Sequence, residues 1–139
     1  MSRRIQTINR TATGAIASRT IVKLNADGTV SQATGPTDKL FGITLPFNDV
    51  ADGDRVDVCV VGFEEVQLGG TVAAGDLITS DASGHGVVSV RHTHTENTGA
   101  AYAQNATTAV AAADRIIGMA EVAGVAGDWI NILLAHGQA

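Results

Sequence analysis

The groups best suited to chemistry in this chain are its histidines and carboxylates, and His92 and His94 form the densest pair. In an extended segment both imidazoles would point to the same side, with Glu96 two residues further on. A zinc site needs at least three ligands in suitable geometry, and neither His85 nor His136 has a diagnostic spacing from this pair. We therefore expect polar loop histidines, no metal and no cofactor, with titration at an interface as the alternative.

The other reactive groups give no stronger indication of a catalytic site. Glu64 and Glu65 are adjacent, so on a strand their carboxylates would face opposite sides and would not form an acid–base pair. The single cysteine, Cys59, lies in an apolar run, which favours a small buried side chain over a nucleophile. The sequence has no phosphate-binding loop, nucleophile elbow or Cys-x-x-Cys pair. We therefore predict that the protein is not an enzyme.

The elements that position these residues are predicted by a short phrase that occurs three times. A Gly-Asp pair precedes an apolar or alternating run at residues 53–54, 75–76 and 127–128. Glycine supplies the positive φ of a turn, and aspartate can hydrogen-bond the backbone just after it. Each phrase therefore predicts a turn followed by a strand. A longer echo links residues 40–43 to the first phrase and residues 116–119 to the last, which predicts two related strand–loop–strand units.

The remaining pattern is that of a single, mainly β domain over residues 1–139, an antiparallel barrel or sandwich with an N-terminal arm and at most one short helix. Strands are predicted at residues 20–24, 29–32, 40–45, 55–61, 63–68, 77–79, 87–90, 115–120 and 129–134, with a break or bulge at Gly62. Residues 1–19 are interpreted as an extended arm or an edge strand. Residues 91–114 are polar and then alanine-rich, which predicts a short helix or a long excursion loop.

Charge and hydropathy exclude two classes of partner. The formal net charge is −5 and the 9 basic residues are spread along the chain, so the sequence offers no basic face for nucleic acid. No run of about 18 apolar residues is present to span a membrane. The first 30 residues also lack the apolar core of a signal peptide, which predicts synthesis and folding in the cytosol.

In their order and spacing, the phrases resemble those of the decoration, or cement, proteins of tailed-bacteriophage heads. The matching stretch runs from about Leu40 to Leu134 and contains residues 41–43, 51–58, 61–66, 72–81, 116–120 and 127–132. The resemblance implies a structural virion protein that decorates the outer surface of the capsid, bridges major capsid subunits and stabilises the shell. It also implies a homo-oligomer, a trimer in preference to a dimer, with the major capsid protein as partner and no nucleic acid or membrane.

From this resemblance we predict which segments contact the capsid or another copy of the chain. They are the basic arm, the excursion and the single tryptophan, with the residues Arg3, Arg4, Ile5, Ile8, Arg10, His92, His94, Tyr102 and Trp129. An arm can add backbone hydrogen bonds to a neighbour's sheet edge, and tryptophan is common in interface hot spots, although Trp129 could instead cover the barrel end. The alternative function is a non-enzymatic binding module for carbohydrate or host-surface adhesion, which the aromatic content of 4% disfavours.

Overall fold

The computed structural model describes residues 3–47, 49–89 and 114–138, which form nine strands and no helix. The strands are β1 (Arg3–Thr11), β2 (Ile21–Leu24), β3 (Val30–Gln32), β4 (Leu40–Thr44), β5 (Arg55–Gln67), β6 (Leu77–Ser80), β7 (Gly86–Val88), β8 (Arg115–Ala120) and β9 (Trp129–Gln138). The prediction of an all-β domain is confirmed. The short helix or loop predicted for residues 91–114 falls almost entirely outside the described residues.

All nine strands belong to one antiparallel sheet that curls into half a barrel. The order is β3-β2-β4-β5-β9-β8-β6-β7, and β1 pairs with β5 off this path. Along β5, Cys59 pairs with Thr7 of β1 on one side and with Ile43 of β4 on the other. Gly62 pairs with both β1 and β9, so β4 and β9 share the edge of β5 opposite β1. Gly62 has a φ of 112° and lies inside one continuous strand, and the register of the pairing with β1 shifts next to it, between Arg4 and Thr7.

The chain contains two equivalent halves, the first half (residues 12–67) and the second half (residues 68–138). In the first half β2 pairs with both β3 and β4, and β4 pairs with β5. In the second half β6 pairs with both β7 and β8, and β8 pairs with β9. The echo seen in the sequence is therefore part of a four-strand structural repeat.

Backbone hydrogen bonds outside the strands repeat in the same places. The Ala12 N–H donates to the Asp54 carbonyl oxygen over 2.8 Å, and the Leu68 N–H donates to the Asp128 carbonyl oxygen over 2.8 Å. The strand that precedes each half also pairs in the same way. β1 lies against the start of β5, and the end of β5 lies against the start of β9. β5 is therefore the last strand of the first half and also the strand against which the second half's β9 lies. The described strands and turns of one half have counterparts in the other.

The three Gly-Asp phrases form the same turn. Each glycine has a left-handed φ between 86° and 92°, which an L side chain rarely adopts. In the middle phrase the Asp76 carboxylate accepts a 2.8 Å hydrogen bond from the Ala73 N–H, and the Asp76 N–H donates to the Ala73 carbonyl oxygen over 3.1 Å. The other two phrases repeat both bonds. The aspartate therefore bonds three residues back along the chain, and not just after itself as expected.

Each half has an apolar core on the same face of its strands. In the first half this core contains Ala12, Ile16, Val22, Val30, Val56, Val58 and Val60. The counterparts in the second half are Leu68, Val72, Ile78, Ile130, Ile132 and Leu134, which lie in a larger cluster. That cluster also takes in Ile21, Ile43 and Cys59 from the opposite face of the first-half strands, so the second half packs against the first. Cys59 is buried as predicted, and burial, together with the nearby Glu64 carboxylate, raises the pKa of its thiol.

Candidate docking site

β1 carries the predicted arm residues, and it is an edge strand bound to β5 over its length. Asn9 donates from its amide to the Asp57 carboxylate over 2.8 Å, and the Arg55 guanidinium donates to the Asn9 amide oxygen over 2.6 Å. Of the two interpretations of residues 1–19, the edge strand therefore holds for residues 3–11. Among the described strands β1 pairs only with β5, which leaves its other edge open.

Arg4 fastens β1 to the sheet through a buried carboxylate. Its Nε donates to Glu64 Oε2, while Glu64 Oε1 accepts a 2.9 Å hydrogen bond from the Glu65 N–H. The Glu64 side chain is fully buried, whereas about a third of the Arg4 side chain is exposed. Removing the cation from a buried carboxylate is costly, so Arg4 is a structural residue of the monomer.

The other predicted residues of β1 divide into two groups. Ile8 is half-buried against the first-half core, and the Arg10 guanidinium carbon lies 5.9 Å from the centre of the Phe41 ring. By contrast, Ile5 is 76% exposed, and Arg3 has no ion pair within 4 Å in the described part of the chain. A partner approaching β1 would meet Arg3, Ile5 and the open main-chain edge.

Trp129 belongs to an exposed group of side chains that we call the aromatic cluster (Arg19, Phe47, Glu65 and Trp129). The Arg19 guanidinium carbon lies 4.1 Å from the Trp129 ring centre and 5.2 Å from the Phe47 ring centre. Arg19 Nε also donates to Glu65 Oε2 over 2.8 Å. Trp129 is 59% and Phe47 is 92% exposed, whereas the Arg19 side chain is largely buried. The arginine therefore holds two aromatic rings that remain open to solvent.

The backbone is strained at two residues of the aromatic cluster. Arg19 has a φ of 55° and Phe47 has a φ of 61°, a region that costs a non-glycine residue about 1–3 kcal/mol. The counterpart of Arg19 in the second half is Gly75. The Arg19 N–H donates to the Thr44 carbonyl oxygen, as the Gly75 N–H donates to that of Ala120. A glycine would adopt this conformation without strain. The arginine therefore indicates that contacts of its side chain offset the cost of the strained backbone.

Sequence patterns identify neither Arg19 nor Phe47 nor Glu65 as a site residue. A usable signal exists only for Arg19, because aligning residues 16–21 (Ile-Ala-Ser-Arg-Thr-Ile) with residues 72–77 (Val-Ala-Ala-Gly-Asp-Leu) places an arginine opposite the turn glycine. Phe47 and Glu65 reach the cluster from a separate loop and from the end of β5. Only the folded sheet brings them together with Trp129.

His92, His94 and Tyr102 lie outside the described residues, so their contacts stay predictions. In the part of the chain that the structure describes, no group of three or more His, Cys, Asp or Glu side chains could hold a metal ion. His85 lies 3.8 Å from a carboxylate oxygen and His136 lies 2.7 Å from a backbone carbonyl oxygen. The same residues contain no helix long and apolar enough to cross a membrane.

An open strand edge and an exposed aromatic cluster are features through which proteins bind other proteins. A family model described as phage cement protein matches residues 2–117, and the chain belongs to that family. The resemblance noted in the sequence is thereby confirmed. Membership gives the chain a structural role on a phage capsid.

A solved structure supports the same fold. The chain is similar to the crystal structure of the head fiber gp8.5 N base in bacteriophage phi29, with a TM-score of 0.58. The two share 15% sequence identity, and the match covers 94% of this chain and 93% of that chain. At this identity the likeness concerns the fold alone. No curated protein matches the chain.

Proposed function

We propose that the chain decorates the outer surface of a phage head, bridges neighbouring major capsid protein subunits and stabilises the shell without catalysing a reaction. The observation that carries this proposal is Arg19, a left-handed arginine at a glycine position that holds the exposed rings of Phe47 and Trp129. A few hot-spot residues carry most of the binding energy at protein interfaces, and tryptophan and arginine are enriched among them. Arg19 occupies its position despite the backbone strain, as is expected of a residue that a binding site requires.

Two surfaces would contact the shell, the aromatic cluster and the open edge of β1. The cluster is organised before binding, because Glu65 already pairs with Arg19 and little further side-chain order has to be imposed. The edge of β1 offers unpaired N–H and C=O groups to an extended segment of the capsid protein. Repetition of both contacts over many symmetric copies would convert modest affinities into firm attachment. Bridging would follow where the two surfaces meet different subunits.

The chain would bind the major capsid protein and further copies of itself, as a trimer in preference to a dimer, with no nucleic acid or membrane as partner. The net charge of −5 supports the exclusion of nucleic acid. Synthesis in the host cytoplasm would precede addition to the capsid. The predicted contacts of His92, His94 and Tyr102 belong to the same proposal.

Co-sedimentation with phage heads that lack the protein tests this function. Trp129→Ala and Arg19→Gly should each lower the affinity for heads about tenfold or more, because each removes a member of the aromatic cluster. Val122→Ala is the matched control, since Val122 is a similarly exposed apolar residue outside the cluster. Its affinity should equal that of the unchanged chain.

Two results would count against the proposal. Full binding of heads by both cluster variants would remove the aromatic cluster from the capsid contact. Binding of the unchanged chain to immobilised glycans or host cells, with none to heads, would favour the alternative of an adhesion module. That alternative would use the same exposed rings of Phe47 and Trp129.

A further inference from the structure

A row of apolar side chains crosses the second half at right angles to its strands, and we call it the exposed row (Leu77, Met119 and Leu133). Leu77 pairs with Met119 and Met119 pairs with Leu133, so all three point to the same face of the sheet. They are 48%, 39% and 36% exposed. This face lies opposite the core, where an antiparallel sheet usually presents polar side chains. Phe63 of β5 extends the row by pairing with Leu133.

The counterpart in the first half is fully covered, and we call it the buried row (Ile21, Ile43 and Cys59). Its members pair in the same register as the exposed row and have no exposed surface. They are covered by the second half, whose Ile117 and Ile132 share the same apolar cluster. The repeat therefore produces the same surface twice. Among the residues that the structure describes, only the first of the two rows is covered by another unit of the same kind.

We propose that a second copy of this chain covers the exposed row, an inference that rests on the homo-oligomer of the proposed function. The molecule itself offers a precedent for this occupant, because β structure of this same chain covers the buried row. A head-to-tail arrangement would need the first-half core of the next copy to be open, yet Val22 and Val56 in that core are fully buried. The contact therefore brings the exposed rows of several copies together around a symmetry axis, three copies in the trimer of the proposed function, which closes the assembly.

Charges beside the exposed row fit a contact between copies. Arg3 pairs with Phe63 at the β1 end of the row, and Glu121 follows Met119 by two residues. Together with Asn131, the residues Arg3, Phe63 and Glu121 line an open groove of about 480 Å³. Neither Arg3 nor Glu121 has an ion pair within 4 Å among the described residues. Around a symmetry axis the arginine of one copy can meet the glutamate of the next.

Sedimentation equilibrium of the full chain, from micromolar to millimolar concentration, tests this surface. The unchanged chain should self-associate, and Leu133→Lys should weaken association about a hundredfold or more, because it places an unpaired charge in the contact. Trp129→Ala is the matched control on the same strand, about 13 Å away. It should assemble normally while binding heads poorly. Both substituted positions are partly exposed, and the unfolding midpoint of each variant measures whether the chain still folds.

A charge exchange makes the test specific for copies of this chain. Arg3→Glu and Glu121→Arg should each weaken self-association about fivefold, and the double variant should restore it, because the attractive pairs re-form with their signs reversed. A single variant without effect, or a double variant weaker than both, would overturn the proposed pairing.

Two outcomes would overturn the proposal as a whole. One is a chain that stays monomeric at every concentration. The other is self-association that is unaffected by Leu133→Lys. A monomeric chain whose binding to heads is abolished by Leu133→Lys would assign the exposed row to the capsid instead. Because binding to heads is measured separately, failure of the exposed row leaves the proposed capsid function intact.

Discussion

The first and second halves are built from the same strands and turns, yet they end in different surfaces. The first half buries its row and has Arg19 at the turn where the second half has Gly75. The second half keeps the glycine and leaves its row open. A repeat produces each surface twice, and packing one half on the other can cover only one of the two rows. In this molecule, departures from the repeat mark the surfaces that are available to partners.

Both halves place a glycine against the backbone of the next strand where β4 meets β5 and β8 meets β9, and we expect the largest effect there. A Cβ added at Gly42 would overlap the Cys59 carbonyl oxygen, and one added at Gly118 would overlap that of Leu133. Gly42→Ala and Gly118→Ala should therefore each lower the free energy of unfolding by about 3 kcal/mol. Gly137→Ala, which meets open space, should stay within about 1 kcal/mol of the unchanged chain.

Denaturant unfolding followed by tryptophan fluorescence measures all three glycine variants. Equal losses of unfolding free energy for Gly42→Ala and Gly118→Ala would support the structural equivalence of the two halves. A loss for only one of the two variants would contradict it, because the other half would then tolerate a side chain at the counterpart position.

β1 and the end of β5 play the same part in the two halves, but only β1 lies at the edge of the sheet. Arg4→Ala should lower the free energy of unfolding by about 2 kcal/mol, since it leaves the Glu64 carboxylate buried without its cation. The expected loss is smaller than for a fully enclosed pair because Arg4 is partly exposed. Thermal and denaturant unfolding measure it, and Arg3→Ala is the neighbouring control without an ion pair.

A second substitution separates two contributions to the Arg4→Ala effect, the unpaired Glu64 carboxylate and the loss of packing. Glu64→Gln added to Arg4→Ala should recover part of the lost stability, because a neutral amide is less costly to bury than an unpaired carboxylate. No recovery would show that Arg4 acts through its contacts with the sheet alone. Deleting residues 2–12 would combine all these losses, so Ile5→Asp is the cleaner probe of the β1 edge.

The strands were predictable because their signals are local. Glycine turns and alternating apolar residues located each strand to within a few positions, and Val56, Val58 and Val60 share a core as their spacing predicts. Residues 55–67 form one strand because Gly62 pairs with both β1 and β9 and does not end it. The packing of one half on the other could not be predicted. It joins residues far apart in sequence, and alternation alone does not say which face a second half will cover.

The candidate site was predictable only in part, for a related reason. Trp129 stands out as the single tryptophan on the outward side of a strand, and Arg3 and Ile5 as basic and apolar residues near the chain end. Arg19 has the strongest structural signal, but the signal is a departure from the repeat. It becomes visible only when the halves are aligned, and Arg19 must fold onto Trp129 before its stacking can be seen.

Arg19→Gly makes the first half resemble the second at this turn. Relief of left-handed strain and loss of a partly exposed ion pair are of similar size and opposite sign, so the free energy of unfolding should change by less than about 1 kcal/mol. Binding to heads should nevertheless fall about tenfold. Arg19→Lys keeps the charge without the planar stacking and should bind with intermediate affinity. A stability loss of several kcal/mol would instead make Arg19 a structural residue.

The smallest expected effect concerns Cys59 in the buried row. Burial raises the pKa of its thiol above the ordinary value of 9.0, so between pH 9.0 and the raised pKa the folded chain keeps the thiol while the unfolded chain is mostly thiolate. The stability that this provides is complete below pH 9.0 and is lost as the pH rises toward the folded pKa. Between neutral pH and the alkaline range, the unchanged chain should lose stability more steeply than Cys59→Ala, by at most about 1.4 kcal/mol per pH unit.

Thiol labelling turns this residue into a direct comparison of the two rows. A thiol reagent at neutral pH should modify Cys59 only when the halves separate, so its rate should follow the unfolding equilibrium. In a Cys59→Ala background, Leu133→Cys places the thiol at the counterpart position in the exposed row. That thiol should react at once in the dilute monomer and become protected as the chain self-associates. Equal rates at the two positions would mean that the first half does not bury its row in solution.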